Sequence, residues 1–266
     1  ILSLADGRTW MLMRTQTGYL YESFSEDGQN WTPGAPSQFR SSSSPAALER
    51  LADGRIVIFW NHCETPPRVA GQGVYGGRDA LHAAVSSDEG RTWSGFREVY
   101  RDPYRNDTPP RRGDRGTAYP VAMALGDSSI ALATGQGNRR KLILVDADWI
   151  TAKRQTEDFQ QGLEAWHVWK PFGPASGYWR DRTAGARFVD SPDGLEAQVL
   201  AIGKHDEHPA DCVSWSFPAG EQGRLTLHLW LPEDFAGATL SLDDRFFNPE
   251  DDRGESEAIF SIPIGD

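Results

Sequence analysis

LADGR stands at residues 4–8 and again at 51–55, an offset of 47, and each copy feeds an apolar run: TWMLMR after the first, IVIFWN after the second. Asp-Gly between two strand-like runs is a strong hairpin signal. A third, weaker copy is ALGDSSIALAT at 124–134, where Gly-Asp-Ser-Ser takes the turn. Units of about 40 to 50 residues built from β-hairpins must stack on their neighbours to bury both faces, and propeller blades repeat at that interval. Composition agrees: 27 Gly, 17 Pro and 10 Trp in 266 residues favour many short strands and turns over long helices. The chain is therefore expected to be all-β.

Each unit reads as four antiparallel strands, and their polarity decides which residues share an edge. With the DG turns at the bottom, the second strand rises to end at Arg14 in one unit and Asn61 in the next, six positions after the Arg of each LADGR. The third strand starts at the top near Arg78, in GGRDALHAAVS, and descends. The third unit enters from the top at Tyr119, in TAYPVAMAL. Arg14, Asn61, Arg78 and Tyr119 are thus predicted to meet at one edge, with His62 beside them.

The opposite edge carries two acidic loops, SEDGQNW at 25–31 and SSDEGRTW at 86–93. Short Ser, Asp and Thr side chains in such a loop bond the local backbone, and the following Trp31 or Trp93 plugs between sheets. Asp88 and Glu89 invite a paired-carboxylate reading, but they lie at the wrong edge for it.

SxDxGxTW is the Asp-box of the sialidase (neuraminidase) superfamily, also called the BNR repeat. Ser86, Asp88, Gly90, Thr92 and Trp93 match each fixed position; the first copy is one residue short and has Asn30 for Thr. DGRTWMLMRTQTGYLYESFSEDG resembles the sialidase segment bearing the second arginine of the carboxylate-binding triad, at Arg14. GGRDALHAAVSSDEGRTW resembles that bearing the third, at Arg78, and AYPVAMALGDSSIAL that bearing the tyrosine nucleophile, at Tyr119. The resemblance covers residues 1 to about 150. It implies about three blades of a six-bladed β-propeller, 1–152, and an exo-acting glycoside hydrolase releasing a terminal acidic sugar of the sialic acid type, with a non-catalytic glycan-binding propeller as the alternative. Asn61 is placed with the arginines as a substrate-binding residue.

The chemistry suits those residue types. Sialic acid carries its carboxylate on the anomeric carbon, so guanidinium forks that bind it also orient the ring. A carboxylate nucleophile would be repelled by that anion, and sialidases use tyrosine instead. Such a tyrosine needs a base and cationic surroundings. The resemblance puts the first triad arginine, the acid/base aspartate and the activating glutamate outside this chain, and Thr134, Gly135 and Gln136 stand where relatives show Tyr-Glu. The chain opens on ILSLADGR, which reads like mid-strand sequence, so it is expected to start inside a longer protein and to be inactive on sialosides by itself.

DADW near 146–149 marks a boundary. Residues 157–266 alternate strands and turns (LEAWHVW, GLEAQVLAIG, CVSWSF, RLTLHLWL, ATLSLDDRFF, AIFSIPIG) without Asp-boxes, which predicts a β-sandwich of jelly-roll or laminin-G-like type, truncated at its end. Trp166, Trp169, Trp179 and Trp230 are sugar-platform or core candidates there. The formal charge of -11 argues against a nucleic-acid partner. An acidic sugar needs a local cationic pocket; the Pro/Gly-rich loop RNDTPPRRGDRG at 105–116 enters that edge and reads as a solvated loop, with capping of the pocket as the alternative. No apolar run reaches membrane-span length. HDEH at 205–208 lacks a third metal ligand, and NPEDDRGE at 248–255 lacks a calcium-loop signature. Neither metal nor cofactor is expected, and Cys63 and Cys212 reveal no compartment.

Overall fold

A computed structural model describes residues 1–62, 78, 80–101, 117–135, 140–160, 162, 166–169, 186–194, 197–203, 212–242 and 258–265. Cys63, Trp179, Gln136 and the stretches 105–116, 205–208 and 248–255 lie outside them. Strand takes up 45% of the described residues and helix 2%, in several small antiparallel sheets that do not close into a barrel. The chain divides into two compact units: Ile1–Arg105, Pro109–Thr156 and Ser216–Gly220 make the first, and the remainder makes the second.

In the first unit, β1 (Leu2–Ser3), β2 (Thr9–Met13), β3 (Tyr19–Ser25) and β4 (Ala35–Arg40) form a sheet in chain order. The next sheet, β5 (Ala47–Arg50), β6 (Ile56–Trp60), β7 (Ala80–Ser86) and β8 (Ser94–Arg101), repeats that order. A third, β9 (Val121–Ala124), β10 (Ser129–Thr134) and β11 (Lys141–Asp146), follows it, and the short helix α1 (Ala147–Ile150) closes it. Each sequence repeat is therefore one meander sheet.

The repeat holds at the level of single bonds. Leu4 N–H donates to Arg8 O and Gly7 N–H to Leu4 O; 47 residues on, Leu51 donates to Arg55 O and Gly54 to Leu51 O. Gly7 and Gly54 have φ of 89° and 91°, a left-handed turn that glycine takes without steric cost. Arg8 Nε and Arg55 Nε donate to Asp6 and Asp53 in the same way.

The sheets stack face to face because alternate residues of each strand face opposite neighbours. Trp10, Leu20 and Phe39 of the first sheet pack with Ile56, Ile58 and Trp60 of the second. Val57, Phe59, Leu81 and Ala83, on the other side of the second sheet, pack with Ile130 and Leu132 of the third. β6 is accordingly buried along its whole length. Both ends of the stack stay apolar and open. Val121, Met123, Leu142 and Leu144 are exposed on the third sheet. On the first, Met11, Met13, Tyr21 and Trp31 line a groove of about 440 Å³ that reaches Arg14.

The acidic loops are self-satisfied turns. Ser86 Oγ donates to Asp88 Oδ1 and receives Gly90 N–H, while Thr92 gives its backbone N–H to Oδ1 (2.8 Å) and its hydroxyl to Oδ2 (2.6 Å) of Asp88. In the first loop Ser25, Asp27 and Gly28 repeat this, and Asn30 Nδ2 donates to Asp27 Oδ2 at 2.6 Å where the second loop uses the Thr hydroxyl. The Asn-for-Thr departure is thus chemically equivalent. Trp93 packs against Trp10 and Phe39 between the first two sheets, at 6.2 and 5.2 Å. Trp31, its counterpart, faces the open groove. Glu89 accepts two bonds from Arg50 and one from Ala5 N–H, which clamps the first sheet to the second.

These donors hold the Asp88 carboxyl down at about 2, the Thr92 hydroxyl first among the causes, and those of Asn30 hold Asp27 below the ordinary carboxylate range. A depressed folded-state pKa means that the carboxylates stabilise the fold above the unfolded value near 4 and that this contribution is lost as pH falls towards about 2. Asp88→Asn is therefore expected to lower Tm at neutral pH and to reduce the fall in Tm between about pH 4 and 2. Thermal melts across that range check it; an unchanged slope in the variant would show that the loop is not linked to folding.

In the second unit β12 (Trp166–Trp169) pairs with β15 (Cys212–Trp215), β13 (Arg187–Asp190) with β14 (Gln198–Ala201), and β16 (Ala238–Leu242) with β17 (Phe260–Ile264). The expected strand RLTLHLWL is absent: residues 217–237 hold no strand, and Leu225, Leu227, Leu229 and Trp230 are exposed. Alternation gives a segment strand propensity, but a ladder also needs a free edge to pair with. Trp166 stacks on Trp215 at 6.0 Å.

Candidate functional site

Registers within the sheets set the polarity of the site. Met13 pairs with Tyr21 at one end of the first sheet and Thr9 with Ser25 at the other. Trp60 pairs with His82 and Ile56 with Ser86 in the second, and Val121 with Ala133 and Ala124 with Ile130 in the third. Arg14, Asn61, Arg78 and Tyr119 each stand at the end away from the DG turns and Asp-boxes.

Three of them meet. Arg14 Nη1 donates to the Tyr119 hydroxyl at 3.1 Å. The guanidinium carbons of Arg14 and Arg78 each lie 5.8 Å from the centre of the Tyr119 ring. Both arginines also bond one residue: Arg14 Nε donates to Ser43 Oγ at 3.1 Å, and Arg78 Nη2 donates to Ser43 O. Two cations beside one phenol make a local positive site in a chain whose formal charge is -11. Fixed guanidinium groups of that kind suit a carboxylate, which accepts charge-assisted bonds on both oxygens.

Asn61 does something different. It is fully buried; its Nδ2 donates to Ala80 O and to Thr117, and its Oδ1 accepts the Ser44 hydroxyl at 2.7 Å. Those bonds fill the amide, so Asn61 joins the three strand ends from below and offers no group to a sugar. His62 lies in an aromatic nest with Trp60, His82 and Phe96.

Tyr119 is held in an unusual backbone state, φ 62°, although it is neither glycine nor asparagine. The residues before it explain how this is imposed. Thr117 is bonded to Asn61 and to Arg78 O, and Ala118 O accepts from both Gly135 N–H and Thr134 Oγ1. Such a conformation persists only where the surroundings over-determine it, and it aims the ring at the arginines.

Neither motif nor strand polarity marks the run Ser41–Ser44, yet all four serines are buried. Its only sequence signal is four consecutive small hydroxyl residues ahead of Pro45, on the connection from the first sheet to the second. Among the described residues no group of three or more His, Cys, Asp or Glu is arranged to hold a metal, and no helix is long and apolar enough to cross a membrane.

Comparison with known proteins is consistent with the repeat geometry. A search of curated proteins finds no match to the chain. The family described as BNR repeat-like domain matches residues 1–132, the span that holds both Asp-boxes, both arginines and Tyr119. The N-terminal part of the chain therefore carries a BNR-like repeat domain, consistent with the sialidase/BNR superfamily.

Proposed function

We propose that the first unit is a run of propeller blades carrying the carboxylate-binding half of a sialidase-type site, in an exo-acting glycoside hydrolase that takes a terminal acidic sugar. The convergence of Arg14, Arg78 and Tyr119 from three successive sheets carries this reading. The guanidinium groups grip the sugar carboxylate, and Tyr119 faces the anomeric carbon to which that carboxylate is attached. The apolar faces left open at both ends of the stack support further blades on either side, since the two internal faces bury residues of the same kind. The proton donor and base that a tyrosine nucleophile requires belong to those blades in this reading.

The alternative is glycan binding without catalysis: the bond from Arg14 to the Tyr119 hydroxyl gives a nucleophile its cationic neighbour but also suits simple binding, so turnover separates the two readings. Both readings expect N-acetylneuraminic acid to bind, and its methyl ester, which lacks the carboxylate, to bind at least about tenfold more weakly. Isothermal titration with each compound checks this, and equal affinities would sink the carboxylate assignment. Hydrolysis of a fluorogenic sialoside by the 266-residue chain alone would show that it holds its own acid and base, against the half-site.

A further inference from the structure

We infer that Ser43 is a positioning residue that determines which edge of Arg14 meets the ligand carboxylate; this rests on the acidic-sugar reading above. A guanidinium can bind a carboxylate through its side edge, Nε with one Nη, or through its end, the two Nη groups. In this protein the side edge is taken. Arg14 Nε donates to Ser43 Oγ at 3.1 Å, whereas Nη2 of Arg14 has no hydrogen-bond partner among the described residues. At the end edge Nη1 gives one of its two hydrogens to the Tyr119 hydroxyl at 3.1 Å, which leaves its second hydrogen and those of Nη2 for a ligand. A carboxylate bound there is set beside that hydroxyl. Because the anomeric carbon bears the carboxylate, the same choice of edge brings the reacting carbon to the tyrosine.

Ser43 is built to hold still. It is 1% exposed, between Ser42 at 1% and Ser44 at 0%. Ser42 N–H donates to Asn61 O, Ser44 N–H to Ser42 O, and Ser44 Oγ to Asn61 Oδ1, so Asn61 fixes the loop on both sides of Ser43, through its backbone carbonyl on one and its buried side-chain amide on the other. Ser43 O takes Arg78 Nη2 as its hydroxyl takes Arg14. One short residue thereby sets two cations from different sheets in a fixed relation. Ordering long side chains before the ligand arrives removes an entropy cost from binding.

Ser43→Ala removes the Arg14 acceptor but leaves the backbone carbonyl for Arg78, and Ser43→Thr keeps the hydroxyl. The Arg14 Nε–H resonance, observed by NMR in the ligand-free protein, should be slow to exchange in the wild type, fast in Ser43→Ala and slow again in Ser43→Thr. Affinity for N-acetylneuraminic acid should fall about tenfold in Ser43→Ala and return in Ser43→Thr. An Nε–H signal unchanged in Ser43→Ala overturns the proposal, as does a lost signal with unchanged affinity. If the wild type binds no acidic sugar, the functional reading fails separately, and the exchange of Nε–H still decides whether Ser43 holds Arg14.

Discussion

Replacing Trp60 with alanine is expected to lower the unfolding free energy by about 3–5 kcal/mol, which is a large share of the 5–15 kcal/mol of an ordinary domain. Trp60 is fully buried at the end of β6, with Phe39 at 5.2 Å on one side and Phe96 at 5.7 Å on another. Truncation leaves a cavity between the first two sheets, whose walls are strands and cannot easily collapse. It also strips Arg40 O of the bond it accepts from Trp60 Nε1, at 3.0 Å. Arg40 directly precedes the serine run, so the loss of stability should be accompanied by weaker binding of an acidic sugar. Leu142→Ala is the control: its side chain is 76% exposed, and a change within about 0.5 kcal/mol is expected. Urea unfolding of both variants checks the pair. A Trp60→Ala midpoint equal to that of Leu142→Ala would mean that the stacked sheets do not share one core.

What could be read in the sequence, and what could not, divides along range. The DG turns and Asp-boxes are local: each uses donors and acceptors within a few residues, so the same letters give the same bonds 47 or 61 residues away. Strand polarity follows from those turns, and with it the edge on which Arg14, Arg78 and Tyr119 stand. The burial of Asn61 does not follow, because it depends on how closely Thr117 and Ser44 approach from neighbouring segments. Position at an edge marks a residue equally well for facing a ligand and for tying strands together; only its partners distinguish the two. The φ of 62° at Tyr119 was equally hidden, since a residue before proline prefers extended backbone and only the bonds on Thr117 and Ala118 force another state. RLTLHLWL shows the converse. Its alternation is clear, yet no partner strand meets it among the described residues.

The largest functional effect is expected from Arg14→Lys combined with Arg78→Lys, a change that conserves charge. A site that recognised only positive potential would hardly notice it. Arginine presents a planar fork matched to the two oxygens of a carboxylate, while lysine offers a compact, strongly hydrated point charge. The double variant would also lose the contacts that preset the site: the Arg14 bond to Ser43 Oγ and the Arg78 bond to Ser43 O each need a guanidinium of this reach. Each fork lost should weaken binding of N-acetylneuraminic acid by about tenfold, so the pair is expected to cost about a hundredfold. The methyl ester, already deprived of the carboxylate, should lose little, which separates a specific loss from a general collapse. Tyr119→Phe should leave affinity within a few-fold, because its hydroxyl is assigned to the reaction and not to the grip. Titrations of the wild type and the two variants with both sugars test the assignment. Retained affinity in the double lysine variant would show that the two arginines support the edge of the stacked sheets without holding the substrate, and the sialidase-type site would have to be abandoned even with the BNR-like repeat intact.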